Sequence, residues 1–395
     1  MTLPDMHSAE AIPDTARAEI ELLLQSGDLF RYTAAADAPV SLLEAEFAQM
    51  MGSRYALAVS SCSAALFLSL LALDLPQNAK VLIPGFTFAA VPSAVIHANY
   101  TPVLCEVGEN YRIDMADFAA KLPGVDAVII SHMRGHTSDM DAIMQLCDAA
   151  NVPVIEDAAH SLGTLWHDRK IGTIGKIGCF SFQSYKMVNA GEGGILITDD
   201  ADLVDELNRD GDGDPAYEHN WKKHPGIADA CARWQNKLPL YNLRLNNLSA
   251  VLVRAQLAEL PRRVADGLRN HDYVAAKLNA APQIDVPAPL APETRAPDSI
   301  QFNLVGLDDA AIRAFAEASA KAGVKVQVFG QSTDNARAFW NWQFIKDLPD
   351  LPRTRAMLMT ACDVRLPVQL QPAELDAIVN VLLGALATVT KSAAA

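Results

Sequence analysis

The sequence predicts an α/β fold: a mostly parallel sheet covered on both faces by helices, followed by a smaller α+β unit. Two observations predict it. Short β-rich runs alternate with helical stretches through the first half of the chain, the pattern of a sheet buried on both faces. After a Pro-rich stretch, a shorter unit of strand, helix, strand, strand and helix patterns follows. In open parallel sheets ligands bind at the carboxyl ends of the strands, so candidate functional residues are sought there.

The elements follow in order. Residues 1–35 read as an arm with one short helix, Thr15 to Leu24, and the alternation begins near Ser41. The β-rich runs are KVLIPGF, TPVLCEV, DAVIISHM, VPVIEDAA, IGCFSF and GGILIT, with helices at Ser63–Leu73 and Met140–Ala150 among those between them. One long helical region is expected over Asn246–Asn279. The stretch APQIDVPAPLAPETRAPD then reads as linker and surface loop. The smaller unit comprises SIQFNLVGL, a helix over Asp308–Ala322, VKVQVFG, DVRLP and a helix over Pro372–Val389.

Composition narrows the function. The 395 residues carry 32 Lys plus Arg against 47 Asp plus Glu, a net charge of −15. That balance argues against a nucleic-acid partner, whose binding needs cations against phosphates. One small phosphate can still be held by a local cup of backbone amides. No run of about 18 apolar residues predicts a membrane span; the longest, Ala64–Leu73, is interrupted by Ser69 and suits a buried helix. The N-terminus lacks the basic start and apolar stretch of a secretory signal. Cys62, Cys105, Cys147, Cys179, Cys231 and Cys362 are scattered, as expected of reduced thiols in a cytoplasmic protein.

Some apparent signals carry no chemistry. Asp210, Asp212 and Asp214 alternate like a calcium loop, but Pro215 and Trp221 stand where Gly and Glu are needed. His132 and His136 flank Gly135 beyond a strand and do not form a helical metal pair, and no metal is expected. GTIGKIG and GEGG complete neither nucleotide fingerprint.

Four distant pieces converge on one chemistry. Ser60-Ser61-Cys62-Ser63 opens a helix, where free amides and hydroxyls can hold an anion; an ordinary serine N-cap looks the same. Asp157 ends an apolar strand, either as a partnered functional carboxylate or as a cap on the next turn. Lys186 follows an apolar strand and precedes a Gly-rich stretch, as a Schiff-base nucleophile or as a solvated loop residue. Phe88, in IPGFTF, is placed to stack on a planar ring or to pack in the core.

In this order the pieces resemble the DegT/DnrJ/EryC1/StrS family of pyridoxal-phosphate aminotransferases, of fold type I. The resemblance runs from about Ser26 to Leu386. It is most specific in VIEDAAHSLGTLWHDRKIGTIGKIGCFSFQSYKMVNAGEGGILITDD. SGDLFRY, LEAEFA, PGFTFAAVPSAVIHANYTPV and LYNLRLNNLSAVLVRAQL match further blocks. It implies a large cofactor-binding domain over 36–265, with a mostly parallel seven-stranded sheet, and a small C-terminal α+β domain over 266–395.

The resemblance also implies roles. Lys186 is the Schiff-base lysine, and Asp157 faces the pyridine nitrogen and favours its protonated form. His160 stands where the family often has Gln against the phenolic oxygen, a substitution expected to titrate near neutral pH. Phe88 stacks on the ring. The phosphate block is Ser61-Cys62-Ser63 in place of the usual Ser-Gly-Thr. Its amides, with Ser63 and Ser181, hold the phosphate, and Asn242 reaches it from the neighbouring subunit of a homodimer with shared sites. The reaction implied is ping-pong transamination from an amino acid, glutamate or glutamine, to a keto or aldehyde group of a sugar, usually nucleotide-linked. An octulosonate or cyclitol acceptor, or a lyase or dehydratase reaction, is the alternative; a regulatory protein without catalysis stands last. Arg134 and His136 are candidate acceptor contacts, and Trp340 and Trp342 stack on a sugar or pack within the protein.

Overall fold

The computed structural model describes residues 3–30, 37–201, 203, 241–334 and 336–393; Asp210, Asp212, Asp214, Pro215, Trp221 and Cys231 lie outside them. Helix α1 (Thr15–Ser26) ends at Gly27, whose φ of 75° turns the chain out of the helix, and α2 (Pro39–Met51) opens on a proline. The alternation then runs β1 (Tyr55–Val59), α3 (Cys62–Ala72), β2 (Lys80–Pro84), α4 (Ala90–His97), β3 (Thr101–Cys105), α5 (Met115–Lys121), β4 (Ala127–Ser131), α6 (Met140–Ala150) and β5 (Val154–Asp157). A short hairpin of β6 (Leu165–Trp166) and β7 (Arg169–Lys170) precedes β8 (Ile177–Ser181) and β9 (Gly194–Thr198). All six strands expected from the sequence are present. β1 is an addition: YALAV is buried at every position, so it lacks the alternation that separates a strand from a helix interior.

The large sheet has seven strands in the order β1-β9-β8-β5-β4-β2-β3. β9 runs antiparallel to β1 and β8, and the other pairings are parallel. On one face Leu57, Ile83 and Ile155 pack with Leu66 and Leu70 of α3 and Val95 of α4. On the other, Ala56, Leu82 and Val154 pack with Phe47 of α2 and Ile143 of α6. Alternate residues of each strand serve opposite layers.

After α7 (Asn247–Leu257) and α8 (Leu260–Leu278) come β10 (Ile284–Asp285), β11 (Glu293–Thr294), β12 (Ser299–Leu304), α9 (Asp309–Lys321), β13 (Gln327–Val328), α10 (Pro352–Thr360), β14 (Ala361–Arg365) and α11 (Pro372–Ala393). β10, β12, β14 and β13 form a four-stranded antiparallel sheet. Its core joins Phe302 and Val364 to Phe315 of α9 and Ile378 and Leu382 of α11. α8 serves both cores: Leu260 packs under the large sheet, and Val274 and Leu278 under the small one.

Two expectations need correction. The single helix over Asn246–Asn279 is two, because Pro261 in the first turn of α8 has no amide to continue the ladder from α7. The Pro-rich stretch is not only surface loop. Glu293 and Arg295 are buried, and the Glu293 carboxylate accepts from Arg112 Nη2 at 2.5 Å and the Thr137 amide at 2.7 Å. Among the described residues α11 is the one helix long and apolar enough to cross a membrane; Glu374 and Asp376 interrupt its apolar run in sequence. Leu375, Ile378, Leu382 and Leu386 nonetheless face the small-sheet core, as in a core helix.

Candidate active site

The chain turns at the carboxyl ends of β1, β4, β5 and β8 bring the expected residues to one edge of the sheet. A cavity of about 890 Å³ there is lined by Ser61, Cys62, Ser63, Phe88, Arg134, Asp157, His160, Ser181 and Lys186. Asp157 is the last residue of β5. Ser131, at the end of neighbouring β4, donates from Oγ to Asp157 Oδ2 at 2.7 Å, and the Ala159 amide donates to Oδ1 at 3.1 Å. The carboxylate is thereby held in one orientation with its outer side toward the cavity.

The anion cup is built at the start of α3. Ser61 is the N-cap, its hydroxyl accepting from the Ala64 amide at 3.1 Å, so for this side chain the capping role holds. The Cys62 and Ser63 amides, in the first turn, have no acceptor within the helix. Gly194, at the start of β9, passes close behind them: a Cβ there would lie 2.4 Å from the Ser61 carbonyl carbon. Only glycine allows this approach. Cys62 does not fill the cup, because its Sγ lies against Asp157 Oδ1 at 3.8 Å; burial, then the Asp157 charge, push its thiol pKa up. The five described cysteines are buried free thiols.

Lys186 stands in the turn after β8, where its amide donates to the Gln183 carbonyl at 2.9 Å. Its Nζ lies 2.8 Å from His160 Nε2 and 3.2 Å from Nδ1. Burial, then the Arg134 charge, lower the amine's pKa to about 8. Roughly a tenth is then free amine at pH 7, far more than for an ordinary lysine, as a nucleophile needs. His160 does not titrate near neutral pH as expected. Burial, then the Lys186 charge, hold its pKa well below 6.5.

Phe88 is 46% exposed and faces the cavity; the core position belongs to Phe86. Ser181 Oγ accepts from the Gln183 amide at 3.3 Å. Arg134, in a left-handed conformation at φ 55°, donates from Nη2 to Asp363 Oδ2 at 2.5 Å. Four candidate residues are not brought to the cavity. His136 is turned into the interior, where Nε2 pairs with Gln301 Oε1 at 2.9 Å and the ring lies 4.8 Å from that of Tyr111. A contact from His136 to a ligand in the cavity is thereby ruled out in this arrangement. Asn242 is exposed and lines no part of the cavity within its own chain. Trp342 is fully buried, and Trp340 lies 4.4 Å under the Arg355 guanidinium, so neither lines the cavity.

Sequence reasoning missed His7, Tyr185, Arg337, Asp363 and Arg365, which also line it. Asp363 and Arg365 belong to the DVRLP strand, whose charged positions were the available signal. His7 and Arg337 sit in irregular segments with no local pattern.

The donor set fits pyridoxal phosphate. It offers free helix-terminal amides for a phosphate, a fixed carboxylate for a pyridine nitrogen, an amine of lowered pKa for an aldehyde and an exposed aromatic face for the ring. The fold is that of the fold type I pyridoxal-phosphate aminotransferases. The chain belongs to the DegT/DnrJ/EryC1/StrS aminotransferase family, whose sequence model matches residues 14–383. It is 33% identical over 258 residues to the spore coat polysaccharide biosynthesis protein SpsC of Bacillus subtilis, a match spanning 64% of either chain. The crystal structure of 3-amino-5-hydroxybenzoic acid synthase superposes with a TM-score of 0.85 at 25% identity, covering 98% of this chain and all of that one. An E. coli GDP-4-keto-6-deoxy-D-mannose-3-dehydratase with bound hydrated pyridoxal phosphate has the same fold, with a TM-score of 0.82 at 20% identity over 97% of this chain and 99% of that one.

Proposed function

We propose that the protein is a pyridoxal-phosphate aminotransferase that moves an amino group from an amino acid, glutamate or glutamine, to a keto or aldehyde group of a sugar. The acceptor is nucleotide-linked or, in the second case, a free octulosonate or cyclitol. The observation that carries this reading is the meeting of Lys186, Asp157 and the α3 amides in one cavity. Bound there, pyridoxal phosphate supplies an aldehyde that captures amines and a ring that accepts electrons released at the donor's α-carbon.

The chain's residues divide the remaining work. With the cofactor bound, Lys186 Nζ would take the donor's α-proton as general base and return it as general acid. Its lowered pKa of about 8 suits both steps. His160, kept uncharged, accepts a hydrogen bond from that amine and fixes its direction. Asp157, oriented by Ser131 and the Ala159 amide, keeps a proton on the ring nitrogen. The Cys62 and Ser63 amides with the Ser63 and Ser181 hydroxyls hold the phosphate, and Phe88 covers the ring. Arg134 takes part in seating the substrate.

The test is to supply the protein with pyridoxal phosphate and L-glutamate and follow pyridoxamine phosphate and 2-oxoglutarate, then screen keto sugars by mass spectrometry. Nitrogen transfer supports the reading. Sugar consumed with loss of water and no nitrogen gained makes the protein a dehydratase. A colourless protein that takes up no cofactor speaks for a regulatory role.

The same reading makes the active unit a homodimer in which Asn242 of each chain completes the partner's phosphate site. Its exposure and its absence from the lining of its own cavity support this. Mixing Lys186→Ala with Asn242→Asp should restore up to about half activity per heterodimer, because one site then carries neither lesion. Demonstrated exchange without recovery would exclude shared sites.

A further inference from the structure

The cavity holds more positive charge than its own carboxylates neutralise. Lys186, Arg134, Arg337, Arg365 and the exposed Lys325 line it. Arg134 is matched by Asp363, and Arg365 Nη1 lies 3.8 Å from Asp298 and donates to the Tyr185 carbonyl at 2.9 Å. Arg337 differs. It donates once, from Nη1 to Gln327 Oε1 at 2.8 Å, and its guanidinium lies 5.6 Å from the Phe329 ring centre. Among the described residues no carboxylate lies within ion-pair distance of it, and its Nε is buried without an acceptor.

The neighbouring acids are already committed or outside. Asp363 gives one oxygen to Arg134 and the other to Gln301 Nε2 at 2.7 Å. Asp334 and Glu192 line the cavity but are exposed, and Asp334 Oδ1 accepts from the Ala336 amide at 2.9 Å. A half-buried guanidinium facing a cavity without an anion is unfavourable until a ligand brings one. Burial, then the Arg134 charge, lower its pKa to about 10 against the opposing pull of Asp363 and Asp334.

We propose that Arg337, with Arg134 beside it, is the seat of a carboxylate on the amino acceptor, so that the sugar aminated here is a sugar acid. This rests on the transaminase reading above. The place of Arg337 separates this seat from the phosphate cup: it is tied to Gln327 of β13 in the small sheet, whereas the cup belongs to α3 on the large one. The one half-buried cation left unmatched fits a singly charged carboxylate; a nucleotide's diphosphate carries more charge and would also draw on the exposed Lys325. A planar carboxylate is also the group a guanidinium fork recognises best.

The experiment uses the holoenzyme converted to its pyridoxamine form with L-glutamate. It is titrated by calorimetry with 5-keto-D-gluconate and with L-sorbose, which has CH2OH in place of the carboxylate on the same carbon skeleton. The expected result is a preference for the acid of roughly tenfold or more. Arg337→Met removes the preference and Arg337→Lys keeps part of it. Because Arg337 lacks a carboxylate partner, the Met variant is expected to fold as stably as the parent, checked by thermal unfolding. Equal affinities for acid and neutral sugar, or a preference that survives Arg337→Met, would overturn the proposal. So would an Arg337→Met defect confined to the glutamate half-reaction, which assigns the arginine to the donor. Arg337-dependent binding of uridine diphosphate that exceeds that of the keto acid would make it a diphosphate seat instead. If glutamate yields no pyridoxamine form, the transaminase reading fails separately, and the acid preference is still measured on the pyridoxal form.

Discussion

Glu156 and Asp157 are consecutive residues of β5, both buried, both carboxylates, and they face opposite sides of the sheet. Glu156 is saturated. It accepts from the Gly172, Ile174 and Gly175 amides at 2.9, 2.6 and 2.7 Å, and pairs with His132 Nε2 at 3.1 Å. Burial alone would raise its pKa, but His132 and these amides outweigh it and the value falls below the ordinary 4.5. Asp157 has a hydroxyl, one amide and a distant thiol, with its remaining side open to the cavity. A carboxylate whose lone pairs are all taken by the protein holds loops in place. One left partly unpartnered at a cavity wall is free to hold a ligand.

This contrast is open to direct attack, and the largest effect is expected at the cavity. Lys186→Ala should abolish turnover, since Lys186 is the half-buried amine of the cavity and the other lysine lining it, Lys325, is exposed; a pyridoxyl group mapped to another lysine after borohydride reduction would overturn the assignment. Asp157→Asn should retain cofactor uptake and melting temperature yet lose roughly 10²-fold or more in rate. Near-normal turnover with cofactor bound would place the electron sink's support elsewhere.

Across the strand the signature should invert. Glu156→Gln should cost about 3 kcal/mol of stability, measured by denaturant unfolding, because its amide cannot accept from all the donors now served. The variant that folds should keep most of its catalytic rate. The lowered pKa also fixes the pH sign. Glu156's contribution is complete above about pH 4.5, the unfolded value, and is lost as pH falls through the lower folded value. Glu156→Gln should flatten that acid limb.

The smallest effect sharpens the electrostatics of the cavity itself. Burial, then Arg134, hold the Lys186 amine at about 8, so cofactor capture by the apoenzyme should rise with pH through that value. Arg134→Met removes a repelling cation and should move the midpoint to higher pH. A midpoint unmoved, or shifted toward acid, would show that Arg134 does not act on this amine.

Much of the site is legible because it lies at ends of apolar strands. Asp157 and Lys186 stand out as ionisable residues where a buried run stops, and Ser61 to Ser63 as small polar residues opening an apolar helix. The charge partners were not legible. Arg337 and Asp363 are 151 and 177 residues from Lys186 in sequence, and no local periodicity marks a residue that reaches another sheet's cavity. His136 shows the converse. Two residues after Arg134 it looks equally available, yet Gln301 on β12 captures its ring and Arg134 alone turns to the cavity.

By itself the sequence determined the local facts: that six apolar runs form strands of the large sheet, that small polar residues open α3, and that a carboxylate and an amine follow apolar strands. Those follow from φ/ψ preferences, hydrophobic pattern and capping, which act over a few residues. Only the tertiary structure decided that Glu156 is sealed while Asp157 is left open, that Cys62 leans on Asp157 and leaves the cup clear, and that Arg337 faces the cavity with no carboxylate of the described residues within ion-pair distance. Hydrogen-bond satisfaction and charge balance are sums over every group within reach. Here those groups come from both sheets, brought together only when the chain has folded.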